Sequence, residues 1–181
     1  MTIEQLIDDV IDREGGYVDH PDDLGGPTRY GITHRTARAH GYAGSMKTFP
    51  RAQAVAIYRR MFWSQPGFDR IAPLAPHVAA ELFDTGVNMG PAVATAFLRR
   101  ALNALNRNGR DYPDLPTIGL MDDTLLAALT AFLKLRGSAG ERVLLKALEA
   151  LQGERYLHLA ESRPANEAFL YGWLANRIGS L

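Results

Sequence analysis

Apolar residues that recur at helical spacing are the feature that most constrains what this chain can fold into. In the first segment they fall on one face of a helix: Ile3, Leu6, Ile7, Val10 and Ile11. Thr2 and Gln5 can form a capping box at its start, and Gly15 with Gly16 supplies its stop. Similar patterns predict helices over about 48–63, 75–88, 91–105, 122–137 and 138–161, with Pro164 opening a last one. The chain is therefore predicted to be mainly α.

Two connections between these helices cannot continue a helix. Residues 12–34 hold five glycines, two prolines and five carboxylates. Within them, the short runs 17–18 and 29–32 are expected to pair as a small hairpin or to stay irregular. The second connection, residues 106–123, is predicted to separate a region 1–105 from a helical region 106–181. We expect the two regions to pack as one compact unit.

The composition of the 181 residues excludes several classes of protein. The formal net charge is zero, which argues against a nucleic-acid partner. Cysteine is absent, so the chain has no disulfide or thiolate metal site. No run of about 18 apolar residues occurs, and the acidic start does not match a signal peptide. We therefore expect synthesis in the cytoplasm, no membrane insertion and a monomer.

The first predicted helix ends on a carboxylate that continues its apolar face. Glu14 lies seven residues after Ile7 and four after Val10, so we expect it to be buried. Burial and the partial negative charge of a helix C-terminus both favour the protonated form, which a general acid needs. Glycosidic bond cleavage uses such an acid together with a second, ionised carboxylate. The alternative is that Glu14 is only the last polar residue of a helix.

The segment that begins at Glu14 resembles the N-terminal signature of glycoside hydrolase family 108. "EGGYVDHPDDLGGPTRYGIT" carries the resemblance, and "YRRMFW", "ELFDTGVNMGP" and "RPANEAFLYGWLANR" extend it along the chain. It implies an α+β lysozyme-like, mainly helical fold with a C-terminal peptidoglycan-binding region. The implied activity is that of an N-acetylmuramidase of the phage-endolysin type, which cuts the β-1,4 bond between N-acetylmuramic acid and N-acetylglucosamine.

The same resemblance assigns roles to residues of the signature. It implies that Glu14 is the general acid, that Asp23 is the second carboxylate and that Thr28 helps to hold the attacking water. The chain reads Asp-Leu-Gly-Gly where members often read Asp-Pro-Gly-Gly, and Asp22 adds a further acid. The second carboxylate therefore stays open among Asp19, Asp22 and Asp23.

Other residues are candidates for binding the substrate. Tyr30 stands in a loop beside the proposed site and could stack on a sugar ring, whereas Trp63 and Trp173 are expected in the core. Asp84 and Asn88 share one helical face and could bond sugar hydroxyls or, alternatively, hold neighbouring loops. Glu81, on the same face, is expected at the surface.

The expected partner is the glycan strand of peptidoglycan, and no cofactor is expected. A metal site drawn from His20, Asp22, Asp23 and His34 fits no familiar zinc spacing, and glycan hydrolysis needs none. Two alternatives to the hydrolase stay open. One is a lytic transglycosylase acting on the same bond, and the other is a non-catalytic protein that binds the wall or assists secretion. Release to the wall through a holin-type pore is expected.

Overall fold

The computed structural model describes residues 2–19 and 26–179. The chain divides into two compact units, Met1–Gln65 and Pro66–Leu181. Helices dominate the described residues, and a small antiparallel sheet follows the first helix. This confirms the predicted mainly α, lysozyme-like fold class. In this part of the chain, no helix has both the length and the apolar character needed to cross a membrane.

The first unit is built on two helices that pack together. Its elements are α1 (Ile3–Glu14), β1 (Tyr17–Val18), β2 (Thr28–Arg29), β3 (Ile32–Thr33), α2 (His34–Ala39) and α3 (Arg51–Arg59), which runs into a π-helical turn, Arg60–Ser64. The predicted capping box of α1 is present. Its apolar stripe is buried on α3, where Ala54, Ile57 and Tyr58 complete the core. The short helix α2 was not predicted from the sequence.

Ion pairs cross from α1 to α3 at the surface. Arg51 Nη1 donates to Asp8 Oδ1 at 2.6 Å, and its Nη2 lies 3.3 Å from Asp12 Oδ1. Arg59 pairs with Glu4 in the same way. These ion pairs join acids of α1 to bases of α3 across the outside of the helix pair.

The three short strands form one sheet in the order β1-β2-β3. Tyr17 lies opposite Arg29, and Arg29 lies opposite Ile32. The turn between β2 and β3 consists of Tyr30 and Gly31, at φ +54° and φ +72°. Two central residues at positive φ are typical of the tight turns whose twist matches that of the flanking strands.

The second unit contains the remaining long helices. These are α4 (Pro76–Met89), α5 (Pro91–Ala104), α6 (Asp123–Ser162) and α7 (Glu167–Arg177). The helices predicted over 122–137 and 138–161 are the two halves of α6, which meet at a break where Gly137 has φ 60° and ψ −156°. Glu141, near the start of the second half, accepts a hydrogen bond at 2.9 Å from the backbone nitrogen of His77 in the first turn of α4.

The connection between α5 and α6 is tied to α5 by buried polar side chains. Asn106, which is fully buried, donates to the Tyr112 carbonyl and the Asp114 carboxylate and accepts from the backbone of Asp111 and Tyr112. Arg99, 1% exposed, donates to Leu120 O at 2.6 Å. These bonds satisfy backbone groups that a loop of this length would otherwise leave unpaired.

Candidate active site

Glu14 is the last residue of α1, and it is exposed. The prediction that it is buried is wrong. The buried stripe of the helix ends one turn earlier at Ile11, which is 2% exposed, and the residues after it face solvent. Gly15, at φ +77°, then ends the helix and turns the chain toward β1. The periodicity therefore predicted correctly which face of α1 is buried, but it did not predict that burial of this face ends before Glu14.

The turn between β2 and β3 lies against the stem of Glu14. A methyl group built on Gly31 would stand 3.1 Å from Glu14 Cγ, 3.2 Å from Glu14 Cβ and 2.4 Å from Tyr58 Oη. Gly31 also has φ +72°, a conformation that L side chains rarely adopt. Only glycine satisfies both conditions, so this backbone can approach the glutamate closely.

Tyr58 of α3 is hydrogen-bonded to the same turn. Its ring is 3% exposed, and its hydroxyl donates to the Tyr30 carbonyl at 3.1 Å. Burial raises the pKa of the phenol far above its usual range, and the negative charge of Glu14 raises it further. Tyr58 therefore keeps its proton and its hydrogen bond. Tyr58 was not predicted from the sequence as a site residue; its place in "YRRMFW", one of the segments that carried the family resemblance, was the available signal.

Three other predicted residues of the first unit lie in the small sheet or directly beside it. Tyr30 is half-buried, with the Arg29 guanidinium 5.0 Å from its ring centroid. Thr28 lies in β2, and its hydroxyl donates to Gly26 O at 3.2 Å. Asp19 Oδ2 accepts a hydrogen bond from the Tyr17 hydroxyl at 2.8 Å. Asp22 and Asp23, with His20, lie outside the described residues.

Asp84 and Asn88 belong to α4 in the second unit. Asp84 accepts from Arg177 of α7 at 2.8 Å and from Gln152 of α6 at 3.3 Å. Exposed Asn88 donates to Asp84 Oδ2 at 3.1 Å and to its carbonyl at 2.7 Å. Asp84 thus joins three helices, whereas Asn88 reaches the surface.

Glu81 lies one turn before Asp84 and is only 2% exposed, so its predicted surface position is wrong. The face it shares with Asp84 is covered by α6, which contributes the fully buried Gln152. Burial, followed by the charges of Asp84 and Glu149, raises the pKa of Glu81 to about 8, against a smaller lowering by the Thr85 hydroxyl. This carboxyl holds a proton at neutral pH, but its burial keeps it from any substrate.

Two known families match consecutive parts of the chain, and these parts meet near residue 91 rather than at the boundary between the compact units after Gln65. Residues 7–90 match the family described as glycosyl hydrolase 108, and residues 93–178 match a family described as a predicted peptidoglycan domain. Among solved structures, that of Brucella abortus SagA is similar, with 25% identity over 96% of this chain and 87% of that chain and a TM-score of 0.62. No curated protein matches significantly. Glu14, Thr28, Tyr30, Asp84 and Asn88 all fall within the first match.

Proposed function

Because residues 7–90 match the glycosyl hydrolase 108 family, we propose that the chain cleaves the β-1,4 bond between N-acetylmuramic acid and N-acetylglucosamine, with Glu14 as the general acid. The two family matches show a glycoside hydrolase that acts on peptidoglycan. The observation that supports this bond and this acid is the exposed Glu14 carboxyl at the end of α1, whose stem lies against the turn formed by Tyr30 and Gly31.

Exposure of Glu14 fits a role that begins when the substrate binds. In the free chain the carboxyl is open to water and reachable by a glycan strand. A bound sugar ring would remove that water, and a drier surrounding favours the protonated form that the reaction requires. The turn and the Tyr58 hydroxyl limit the positions that the Glu14 stem can take. This restriction favours one orientation of the carboxyl toward a bound glycosidic oxygen.

In this mechanism the proton of Glu14 passes to the glycosidic oxygen while the bond from that oxygen to C1 breaks. The electron pair of the bond stays on the departing oxygen, and an oxocarbenium-like centre develops at C1. A water held by Thr28 adds to C1 and gives its proton to Asp23. Glu14 thus supplies the hydrogen of one product and the water supplies the hydroxyl of the other. Asp23 then releases the water's proton to solvent and Glu14 takes one up, so both carboxyls return to their starting states.

Three further residues are proposed to take part in sugar binding, two of them by direct contact. Tyr30, half-buried on the turn, can cover a pyranose face. In the second unit, Asn88 is the exposed group, and Asp84 fixes its amide through two hydrogen bonds. Asn88 is therefore proposed to contact sugar amides or hydroxyls, with Asp84 as its support.

Mass spectrometry of muropeptides released from purified walls tests the reaction. The hydrolase predicts fragments that end in reducing N-acetylmuramic acid, which borohydride converts to the alcohol. Fragments that end in 1,6-anhydro-N-acetylmuramic acid would instead identify a lytic transglycosylase. Binding to walls without release of any fragment would identify a non-catalytic wall-binding protein. A phage origin and release through a holin-type pore stay predictions, which fractionation of cells with and without a pore-forming protein can test.

A further inference from the structure

An open groove of about 510 Å³ lies in the second unit, where the end of α5 meets the break in α6. Its apolar lining comes from Leu105, Leu135, Ala139 and Val143. Leu135 is 51% exposed and Val143 is 49% exposed. The volume falls within the range of about 300–1,000 Å³ that is usual for ligand sites. We call this feature the α5–α6 groove.

Two glycines create the groove. Gly137 breaks α6 into two halves. Gly140, in the first turn of the second half, lies against Arg136, the last residue before the break. A methyl group on Gly140 would stand 2.4 Å from Arg136 Cβ and 3.3 Å from Phe132 Cε1. The missing side chain at position 140 therefore leaves room for the Arg136 stem to run along the groove, and any larger residue there would collide with it.

The charge at the rim of the α5–α6 groove is positive. Arg136 lines the groove, is exposed, and has no ion-pair partner among the described residues. The neighbouring acid, Asp111, is already held by Arg107, which bonds it through two guanidinium nitrogens. Arg107, Arg136 and Arg110 together keep the pKa of Asp111 below its usual range, the hydrogen bond from Arg107 first. Because Asp111 is paired with Arg107, the guanidinium of Arg136 at the groove is left to pair with an anionic ligand.

The side chains that line the groove suit the stem peptide of peptidoglycan better than its sugar strand. Proteins hold sugar rings largely against exposed aromatic faces, but the only aromatic side chain that lines the groove is Phe132, which is 2% exposed. The stem peptides of peptidoglycan instead carry alanine methyl groups and free carboxylates. Methyl groups match the aliphatic walls, and a carboxylate matches the planar donor fork of an arginine.

We propose that the α5–α6 groove binds the stem peptide of peptidoglycan, with its aliphatic walls taking alanine methyl groups and Arg136 pairing with a peptide carboxylate. The groove lies wholly within the part of the chain that matches the peptidoglycan domain. This inference rests on the proposed function, because the stem peptide is part of the same peptidoglycan substrate and is proposed to bind to this domain. A peptide site on the chain that cuts the glycan raises the effective concentration of strands that still carry peptides.

Direct titration of the full chain with the synthetic pentapeptide L-Ala-γ-D-Glu-L-Lys-D-Ala-D-Ala tests the groove. Arg136→Gln should weaken binding about tenfold or more, because a charge-assisted hydrogen bond is lost. Leu135→Ser should weaken it severalfold through lost apolar contact. Lys134→Gln is the matched control: it removes a positive charge from an exposed position of α6 outside the groove lining and should leave the affinity within about twofold. Leu135 and Arg136 line the groove and Lys134 does not, and all three side chains are exposed, so none of the substitutions disturbs the core.

A comparison of substrates separates this inference from the proposed function. The wild-type chain should digest peptide-bearing strands faster than strands stripped of peptides by an amidase. In Arg136→Gln the ratio of these two rates should fall toward one. Glu14→Gln should bind the pentapeptide as the wild type does. Equal affinity of wild type and Arg136→Gln, or no binding of the peptide by the wild type at millimolar concentration, would overturn the inference even if wall hydrolysis proceeds. Failure of wall hydrolysis with peptide binding intact would overturn the proposed function alone.

Discussion

The buried carboxyl of Glu81 should make the stability of the fold depend on pH. Its pKa rises from an ordinary value of 4.5 to about 8 in the folded chain. Between those values the folded chain holds a proton that the unfolded chain has released, so raising the pH weakens the fold. The stabilisation is complete below about pH 4.5 and is lost as the pH rises through about 8.

The size of this effect follows from the shift. Each pKa unit corresponds to about 1.4 kcal/mol, so the contribution of Glu81 to the free energy of unfolding should fall by about 3 to 4 kcal/mol between about pH 5 and about pH 8. Glu81→Gln keeps the shape and removes the titration. The difference in unfolding free energy between this variant and the wild type should therefore change by that amount across the range, in favour of the variant at high pH.

Urea unfolding at several pH values measures this difference. Glu154→Gln, at an exposed position of α6, is the matched control and should give a difference that is flat with pH. If the curves of wild type and Glu81→Gln run parallel from about pH 5 to about pH 8, the carboxyl does not hold a proton in the fold and the reasoning fails.

Two further perturbations test the packing around the site and the long connection. Gly31→Ala places a methyl group 2.4 Å from Tyr58 Oη and should lower wall hydrolysis by at least about tenfold, because the turn under Glu14 must move. Gly41→Ala, with φ +84° and nothing within 4 Å, carries the same backbone strain and should stay active; equal losses in both variants would refute the positioning role. Asn106→Ala removes four hydrogen bonds of a buried amide and should destabilise the chain by about 2 to 4 kcal/mol in urea unfolding. A loss as small as that of Asn176→Ala, which removes one exposed bond, would contradict this.

Local signals were enough to predict most of the helices. The capping box at Thr2 and the glycine stop after Glu14 each act within one turn, and the structure confirms both. The break at Gly137 was also predicted, as the boundary between two helices. Helix α2 was missed because its single buried residue, Ala37, leaves no periodic stripe.

Depth of burial could not be predicted from periodicity. Glu14 and Glu81 both lie on helical faces, but their exposure depends on which other helix covers that face. The stripe of α1 ends before Glu14, whereas α6, far along the chain, covers Glu81. The same limit applies to Tyr58, whose hydroxyl meets a carbonyl 28 positions earlier in the chain. Contacts between residues far apart in the chain produce no periodic pattern in the sequence, so they could not be predicted from residue spacing.

The central claim is that the Glu14 carboxyl delivers the proton that breaks the glycan strand. Release of new reducing ends from purified walls by Glu14→Gln tests it most directly, beside Asp9→Asn, which removes a carboxylate from an exposed position of the same helix. The account predicts that Glu14→Gln loses at least about a hundredfold in rate with an unchanged melting temperature, while Asp9→Asn stays within about twofold of the wild type. A Glu14→Gln chain that releases reducing ends at a rate close to that of the wild type would contradict it.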